Sequence, residues 1–472
     1  PFKFVRGQQR SDTQVRFLSG SLFRHVSVMS LTSTVGMMAV FLVDFIDMVF
    51  IAMLGQAELA AAIGYAGAIL FFTTSFSIGM AIAVGALVAR ALGGGAAIEA
   101  RAKASHGLFY GVILGAVIAL LVWLNVPVFV SWIGATAETA DLTVSYLRII
   151  IPSLPFMVSG MMGGAVLRAH GDARRAMMAT IYAGAVNAVL DPILIFGLGL
   201  DLTGAALASV AARLAMAAGA VWPILRHHGG FEPIDLAGLR ADLAPLVTIG
   251  VPAILTQLAT PVGQAIVTRA MAEYGEEAVA GMAIVGRLMP VSFAVVFALS
   301  GAVGPIIGQN YGAREFDRVR AGFRAALIFT GVVVLVIADE LILLRGPIVA
   351  LFDATGLARD LVFLFCGPLA LLFFFNGALF VSNAAFNNLG HPFYSTWMNW
   401  GRNTVAMVPL VLVGSWAFGA PGVLVGQALS AVLFGVLACW LALRTMAAGG
   451  SDGPQDSFAR QGRQLALLNL RK

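Results

Sequence analysis

Long uninterrupted runs of apolar residues constrain this 472-residue chain more than any other feature. Twelve such runs follow one another, each about long enough to cross the ~30 Å hydrocarbon core of a bilayer as a helix. Charged residues make up only 11% of the chain, whereas soluble domains average about 25%. The sequence therefore predicts an all-α membrane protein with twelve transmembrane helices. The predicted spans are 26–51, 60–86, 106–130, 142–165, 178–199, 203–225, 244–268, 279–305, 323–345, 360–384, 394–415 and 421–444.

The Lys and Arg residues predict how these helices are oriented. With the N-terminus placed in the cytoplasm, 22 of the 29 basic residues fall in cytoplasmic segments, and only Arg269, Arg345 and Arg359 fall in the outer loops. Cytoplasmic loops of membrane proteins are enriched in Lys and Arg. We therefore expect both termini to be cytoplasmic and the protein to lie in the inner (plasma) membrane of a bacterial cell. The basic residues are explained by membrane orientation, so no nucleic-acid partner is expected.

An internal repeat at an offset of about 220 residues divides the chain into two halves. The segment from Leu54 resembles the segment from Tyr274, and LRAHGDARR from Leu167 parallels FNNLGHPFY from Phe386. Each half has six predicted spans, so both halves enter the membrane from the same side, as in some transporters. Two similar bundles with a polar gap between them suit alternating access. The predicted parts are a cytoplasmic segment 1–25, an N-lobe 26–226, a cytoplasmic linker 227–243, a C-lobe 244–446 and a flexible cytoplasmic tail 447–472.

Ionisable residues inside the predicted spans are the strongest indicators of function, because a charge at the bilayer centre costs ~2.5–3.5 kcal/mol on insertion scales. Three pairs are spaced three or four residues apart, which places each pair on one helix face. They are Asp44 with Asp47, Asn187 with Asp191, and Ser209 with Arg213. All three pairs lie in the first half, and the repeat-related positions of the second half are mostly uncharged. This asymmetry predicts a single site that handles a cation or a proton.

A carboxyl group in such a place can take a proton from one side of the membrane and release it to the other. A proton that moves inward down 100 mV of membrane potential releases ~2.3 kcal/mol. The pattern therefore predicts that proton entry drives expulsion of a second solute.

Structural roles are alternatives for each of these residues. Asp44 and Arg213 can form an ion pair between helices, and Asp47 lies close enough to the outer surface to be hydrated. Asp191 precedes Pro192 and can satisfy backbone groups that the proline frees. Three further arginines inside spans are expected to reach the interface or to pair helices: Arg148, Arg287 and Arg402.

The chain resembles the multidrug and toxic compound extrusion (MATE) family over about residues 20–446. FIDMVFIAMLG from Phe45 resembles the first-span signature of that family, with Asp47 in the place of the family aspartate. LRAHGDAR from Leu167 and PIIGQNYGAR from Pro305 match the loops after the fourth and eighth spans. The pattern is most similar to the DinF-like branch of the family.

The resemblance also assigns roles in the fifth and sixth spans. Asn187, Asp191 and Pro192 match the Asn-x-x-x-Asp-Pro motif of the fifth span. The resemblance implies that Asp47, Asn187, Asp191 and the hydroxyl of Ser209 handle the coupling cation. Three features depart from the family pattern: no early proline in the first span, no carboxylate in the seventh or tenth span, and Arg213 in the sixth.

The fold implied by the resemblance is a V-shaped set of twelve helices in two six-helix bundles. The implied activity is antiport that exports amphipathic, often cationic, small molecules in exchange for H⁺. Na⁺ coupling is one alternative, and a lipid-linked sugar flippase of the same superfamily is another. No cofactor, metal or catalytic residue is expected, since no HExxH or GxSxG motif occurs in the sequence. We expect a monomer whose partners are its small-molecule substrates and the lipid bilayer.

Overall fold

The computed structural model describes residues 16–54, 57–133 and 137–448, and these ranges are almost entirely helical. Apolar composition predicts this, because only structures that satisfy every backbone group internally can cross a bilayer. The helices are α1 (Leu22–Met53), α2 (Ala57–Gly93), α3 (Ala97–Trp132), α4 (Ala137–Ile150), α5 (Leu154–Ala169), α6 (Ala173–Pro192), α7 (Asp201–His227), α8 (Leu236–Ala272), α9 (Glu276–Ser292), α10 (Ala294–Gly312), α11 (Phe316–Leu351), α12 (Gly356–Leu364), α13 (Ala370–Leu389), α14 (Pro392–Trp400) and α15 (Met407–Ala448).

Eleven helical stretches of the described chain are long and apolar enough to cross a membrane. The last of them, Pro392–Ala447, has 56 residues and contains two spans. The backbone turns at Gly419, where φ is +65°, a value that favours glycine. Gly414 and Gly422 lie so close together beside this turn that a Cβ on either would overlap the backbone of the other. The number of membrane helices is therefore twelve, as predicted.

Several spans contain interruptions that are not visible in the mean hydropathy of the sequence. A 3₁₀ turn separates α4 from α5, and α9 ends just before α10 begins. Proline has no N–H to donate and disturbs the preceding turn, which explains most of these breaks. The π-helical turns are Ile193–Gly197, Phe365–Leu369 and Gly401–Ala406. Prolines at or near four of the interruptions are Pro152, Pro192, Pro290 and Pro368.

The helices are longer than the spans predicted from hydropathy. Helix α3 has 36 residues, and at ~1.5 Å per residue it exceeds the ~30 Å hydrocarbon core. Helix α8 begins at Leu236, inside the stretch 227–243 predicted as a linker. The carboxylate of Asp235 caps this helix by accepting a hydrogen bond from the backbone N of Gly238 at 2.5 Å. Polar caps and loops thus lie outside the apolar segments.

The connections between helices alternate between two ends of the molecule. The end predicted to be cytoplasmic carries most of the basic residues and is called here the basic end; the other is called the opposite end. The basic end contains the segments 16–21, 93–97, 169–173, 227–236, 312–316 and 389–392.

The two halves are in contact at the basic end. Helix α2 packs against α8 and α10, and a Cβ on Gly93 would overlap the backbone of Gln309. The Gln309 side chain is fully buried. Its Nε2 donates to the carbonyl oxygen of Ala169 at 2.8 Å, and its Oε1 accepts from the backbone N of Phe17 at 3.1 Å. One glutamine of the second half therefore binds both α5 and the segment before α1.

Toward the opposite end the halves separate. Gly79 of α2 packs against Ile254 of α8. Gly64 and Gly67, closer to the opposite end of α2, have no described atom within 4 Å of where a Cβ would lie. Ser300 of α10 is exposed. The close contacts between the bundles at these glycines therefore lie toward the basic end, and the space beyond them, toward the opposite end, is called here the cleft.

Candidate functional site

Asn187 joins two carboxyl groups that belong to different helices. Its Nδ2 donates to Oδ1 of Asp47 on α1 at 2.9 Å and to Oδ2 of Asp191 on α6 at 2.5 Å. Asn187 and Asp191 are 4% and 1% exposed, whereas Asp47 is half-buried. The structure thus brings three of the predicted site residues together in one group, which we call the acid cluster.

The two carboxyl groups of the acid cluster also contact each other. The carboxyl groups of Asp47 and Asp191 lie close enough to interact directly. Two carboxyl oxygens can share a hydrogen bond only when one of them carries a proton, and two adjacent carboxylates repel each other. The proton in such a pair belongs to both groups, which titrate as one unit. The cluster therefore brings two ionisable groups of different helices together on one amide donor.

The sequence around Asp191 explains how α6 presents these groups. Asn187 and Asp191 are four residues apart and share a helix face. Pro192 follows at once, and the next turn, Ile193–Gly197, is π-helical. Among the described residues, the side-chain hydrogen bonds of Asp191 go to the acid cluster and not to backbone groups of this turn. The alternative in which Asp191 satisfies backbone groups freed by Pro192 does not match this geometry.

Ser209 of α7 lies beside the acid cluster. It is hydrogen-bonded to the hydroxyl of Tyr146 on α4, and Tyr146 is close enough to interact electrostatically with Asp47 and Asp191. Tyr146 is 8% exposed and was not predicted as a site residue. A tyrosine inside an apolar span was its only sequence signal, and that signal does not separate a site residue from a packing residue.

Arg213 of α7 contacts the break between α4 and α5. Its Nη1 donates to the carbonyl oxygen of Ile150 at 3.3 Å and to Oγ of Ser153 at 3.0 Å. No carboxylate of the described residues lies within ion-pairing distance of its guanidinium. Arg213 therefore satisfies backbone at the 3₁₀ turn and is not paired with Asp47. The side chain of Asp44, the other predicted site residue and possible partner, lies outside the described part of the structure.

A second buried polar group occurs in the second half. Nη1 of Arg402, in a π-helical turn, donates to Oδ1 of Asn376 on α13. Asn403 donates to the carbonyl oxygen of Asn399 at 2.9 Å, and Asn399 donates to Oδ1 of Asn383 at 3.2 Å. Arg402 thus pairs two helices, which was one of its two predicted roles. Its partner Asn376 was not predicted, because that residue lies 26 residues away along the chain.

A polytopic fold of two helical bundles, with a polar cluster inside one of them, defines a membrane transporter. The MatE family model matches residues 33–193 and 252–413, which is more than half of the chain. The chain belongs to the MATE (MatE) family.

Known proteins of this family extend the comparison over nearly the whole chain. The chain is 29% identical over 440 residues to the FAD transporter of Shewanella oneidensis, which covers 90% of this chain and 96% of that protein. It is 24% identical over 410 residues to the multidrug export protein MepA of Staphylococcus haemolyticus, covering 86% and 90% of the two chains. These relatives confirm the prediction of a transporter rather than an enzyme.

The solved structures confirm the predicted fold of twelve helices in two bundles. A multidrug resistance MATE family transporter of the MOP superfamily, in an outward-facing conformation, superposes with a TM-score of 0.87. Its sequence is 20% identical, and the match covers 93% of this chain and 99% of that one.

Proposed function

We propose that this protein exports amphipathic small molecules across a bacterial inner membrane in exchange for protons, and that the acid cluster is the coupling site. The observation that carries the proposal is the bridge from Asn187 to Asp47 and Asp191. It joins α1 and α6 through two carboxyl groups that share one amide donor in the interior of the first bundle. Such a group changes charge by one unit when a proton enters or leaves.

The change of charge acts on helix packing. When the proton leaves, the two carboxylates repel each other across α1 and α6. Helix α1 also packs against α10 of the second bundle, so a displacement of α1 reaches the contact between the bundles. In the proposed cycle, protonation from the cleft releases substrate outward, and deprotonation toward the cytoplasm precedes binding of the next substrate. The basic end is the cytoplasmic end, and the transporter acts as a monomer.

Proton coupling fits this geometry better than Na⁺ coupling. Hard cations in proteins are bound by oxygen ligands. Asn187 directs its Nδ2 at both carboxyl groups, so its amide would have to turn before its oxygen faced a metal ion. A proton needs no such rearrangement, because two adjacent carboxyl groups can share it directly.

The family resemblance and the names of the relatives point to substrates of different charge. The family resemblance favours cationic compounds, and one relative is named as a multidrug export protein. Another is named as an FAD transporter, and FAD carries two phosphate groups and is an anion at neutral pH. Amphipathic character is common to both classes of compound.

Substrate-stimulated proton release from proteoliposomes tests the coupling site. Wild-type protein and the Asp47→Asn, Asp191→Asn and Asp339→Asn variants are reconstituted with an acidic lumen and a pH-sensitive dye. Ethidium and FAD are then added in turn. Asp339 is the control, because it is an exposed carboxylate on α11 of the second bundle.

We expect release with wild type and Asp339→Asn, and none with either variant of the acid cluster. Unchanged coupling in both cluster variants would reject the assignment. A response that needs a Na⁺ gradient instead of a pH gradient would show that the coupling ion is Na⁺ and not H⁺.

A further inference from the structure

Two guanidinium groups inside the molecule lack carboxylate partners. No carboxylate of the described residues lies within ion-pairing distance of Arg168 or Arg402. The hydrogen bonds of Arg402 go only to neutral amide oxygens, and its Nε is buried without a partner. Arg168 makes no hydrogen bond with any described residue. A buried charge that has no charged partner is costly, so such a residue is a candidate for binding a charged solute.

Arg168 lies where α5 of the first bundle meets α10 of the second. Its side chain turns back along α5, so that Nη1 lies 3.4 Å from where a Cβ on Gly164 would be. Its Nε lies 3.6 Å from the corresponding position at Gly301 of α10. Because both positions are glycine, space remains beside the guanidinium. Ser300, next to Gly301, is exposed, so α10 is accessible at the level of Arg168.

Arg402 is linked to the same stretch of α10 through α13. Phe297 lies one turn before Gly301 on α10. It contacts Phe373 and Phe380 of α13 at ring-centroid distances of 5.9 and 5.5 Å. Asn376, which accepts the hydrogen bond of Arg402, lies between those two phenylalanines on the same face of α13. Phe297 and Phe380 are half-buried, so part of each ring is accessible. Phe297 and Gly301 are four residues apart on α10, which is about one helical turn, roughly 6 Å along the helix axis.

We infer that the cleft wall between Arg168 and Arg402 is a substrate subsite for planar aromatic anions. A phosphate or carboxylate would bind the guanidinium groups, whose planar array of donors matches these anions in bidentate geometry. The aromatic part of the substrate would pack on Phe297 and Phe380, since aromatic rings stack favourably in offset or edge-to-face arrangements. This inference rests on the proposed export function and specifies its substrate class. The charge is opposite to the one that the family resemblance implies.

Equilibrium binding to the purified full-length protein in detergent tests the subsite at fixed ionic strength. The probes are flavin mononucleotide, riboflavin and ethidium. The first two share one ring system and differ by a phosphate, and the third is a planar cation. The variants are Arg168→Gln, Arg402→Gln, Arg402→Lys and the control Arg148→Gln. Arg148 is an exposed arginine of a membrane helix whose guanidinium lies 5.7 Å from the ring centre of Trp123.

We expect wild type to bind flavin mononucleotide at least about tenfold more tightly than riboflavin, the usual effect of a charge-assisted hydrogen bond. Arg168→Gln and Arg402→Gln should each weaken flavin mononucleotide binding by about tenfold to a hundredfold and change riboflavin binding by less than about twofold. Arg402→Lys keeps the charge and should retain most of the preference. Arg148→Gln should bind all three probes like wild type.

Several results would overturn the subsite. They are equal binding of flavin mononucleotide and riboflavin, no saturable flavin mononucleotide binding to wild type, no effect of either glutamine variant, or tightest binding of ethidium. Size-exclusion profiles and thermal stability show whether each variant is folded. If Arg402→Gln does not fold, flavin mononucleotide binding by Arg168→Gln and Arg402→Lys tests the subsite.

The coupling proposal fails or stands separately from the subsite. Binding in detergent needs no gradient, so Asp47→Asn should keep the preference for flavin mononucleotide while losing coupled transport. If the arginine variants lose the preference for flavin mononucleotide but Asp47→Asn and Asp191→Asn still release protons like wild type, only the subsite stands. Intact coupling without any preference would leave only the proton site.

Discussion

At the scale of single residues, the acid cluster depends on the two hydrogen atoms of one amide group. Asn187 Nδ2 donates one to Asp47 and the other to Asp191. Hydrogen bonds to charged or partly charged groups contribute more than neutral ones, and a buried acceptor that loses its donor pays the full desolvation penalty. Replacement of this amide therefore affects both stability and proton exchange.

Asn187→Leu removes the shared donor while keeping a side chain of similar size. We expect the free energy of unfolding in detergent to fall by about 1–3 kcal/mol, because buried carboxyl oxygens lose a partner. We also expect substrate-stimulated proton release to fall. Asn125→Leu is the matched control, because Asn125 is exposed and donates only to the carbonyl oxygen of Leu121 in its own helix. Equal stability and coupling of the two variants would contradict the role of Asn187.

His170, at the end of α5, gives a prediction about pH. Burial lowers the pKa of His170 from 6.5 to about 4, and the positive charges of His228 and Arg101 act in the same direction. The carbonyl oxygen of Val166 and the carboxylate of Asp172 oppose the shift. Between these two pKa values the unfolded chain binds more protons than the folded one. Stability therefore decreases as the pH falls from about 6.5 to about 4, by at most ~1.4 kcal/mol per unit.

The variant His170→Asn removes this dependence. Its thermal stability in detergent should change less than that of wild type between about pH 6.5 and pH 4, and His227→Asn, at an exposed position, should behave like wild type. Burial raises the pKa of Asp172, but hydrogen bonds from His228 and Arg175 outweigh it and hold that pKa well below its ordinary value. The contribution of Asp172 is therefore constant from about pH 6.5 to about pH 5 and begins to fall only where the unfolded carboxyl takes up a proton. An unchanged pH profile of His170→Asn would contradict the assignment.

The site could be predicted where it depends on short spacing and not where it depends on packing. Asn187 and Asp191 share a face because they are four residues apart, and the family motif added Asp47. Tyr146 comes from another helix, and no local pattern indicates that it contacts Ser209. The same holds for Arg402 and Asn376, which are 26 residues apart. Spacing along one helix is visible in the sequence, whereas contacts between helices arise only from the assembled bundle.

At the scale of helices, small residues fix how closely α2 approaches α10. A Cβ on Gly93 would overlap the backbone of Gln309, and a Cβ on Gly312 would overlap the backbone of Arg90. Close backbone approach through small residues is a common way to pack membrane helices. The contact seals the basic end, so its geometry determines whether the cleft is closed there.

Gly93→Leu should therefore push α2 and α10 apart at the basic end. Spin labels on Ile98→Cys and Arg314→Cys, with Cys366 and Cys439 replaced by alanine, report the distance between the bundles there. We expect a longer mean distance in Gly93→Leu.

Gly64→Leu is the control for this substitution. No described atom lies within 4 Å of where its Cβ would be, so the distance at the basic end should not change. A distance that also stays constant in Gly93→Leu would contradict the proposed seal.

Hydropathy predicted the number of membrane helices and their order, but not their interruptions. Averaging over a span conceals a single proline, so the break at Pro152 and the division near Pro290 were not predicted. The turn at Gly419 lies between the last two predicted spans, where a glycine with positive φ occupies the short gap between two apolar runs. Helix ends were predicted too short, since polar residues continue a helix beyond the hydrocarbon at little cost.

At the scale of the whole molecule, the two halves repeat one scaffold and carry different chemistry. The first bundle contains the acid cluster, with two carboxyl groups and the amide of Asn187. The second contains Arg402 among asparagines, without a carboxylate partner among the described residues. We expect protons to act on the first bundle and substrate charge to act mainly on the wall shared with the second. Separate sites allow a proton and an anionic substrate to be exchanged without direct competition.

The central claim is that the acid cluster converts a proton gradient into substrate export, and uphill transport tests it most directly. Proteoliposomes loaded with substrate are given an inward proton gradient with no Na⁺ present, and the substrate concentration on each side is followed. Wild type should move substrate against its concentration gradient, while Asp47→Asn and Asp191→Asn should only let it equilibrate. Uphill transport that is undiminished in both variants, or that occurs only when Na⁺ is supplied, would contradict the account.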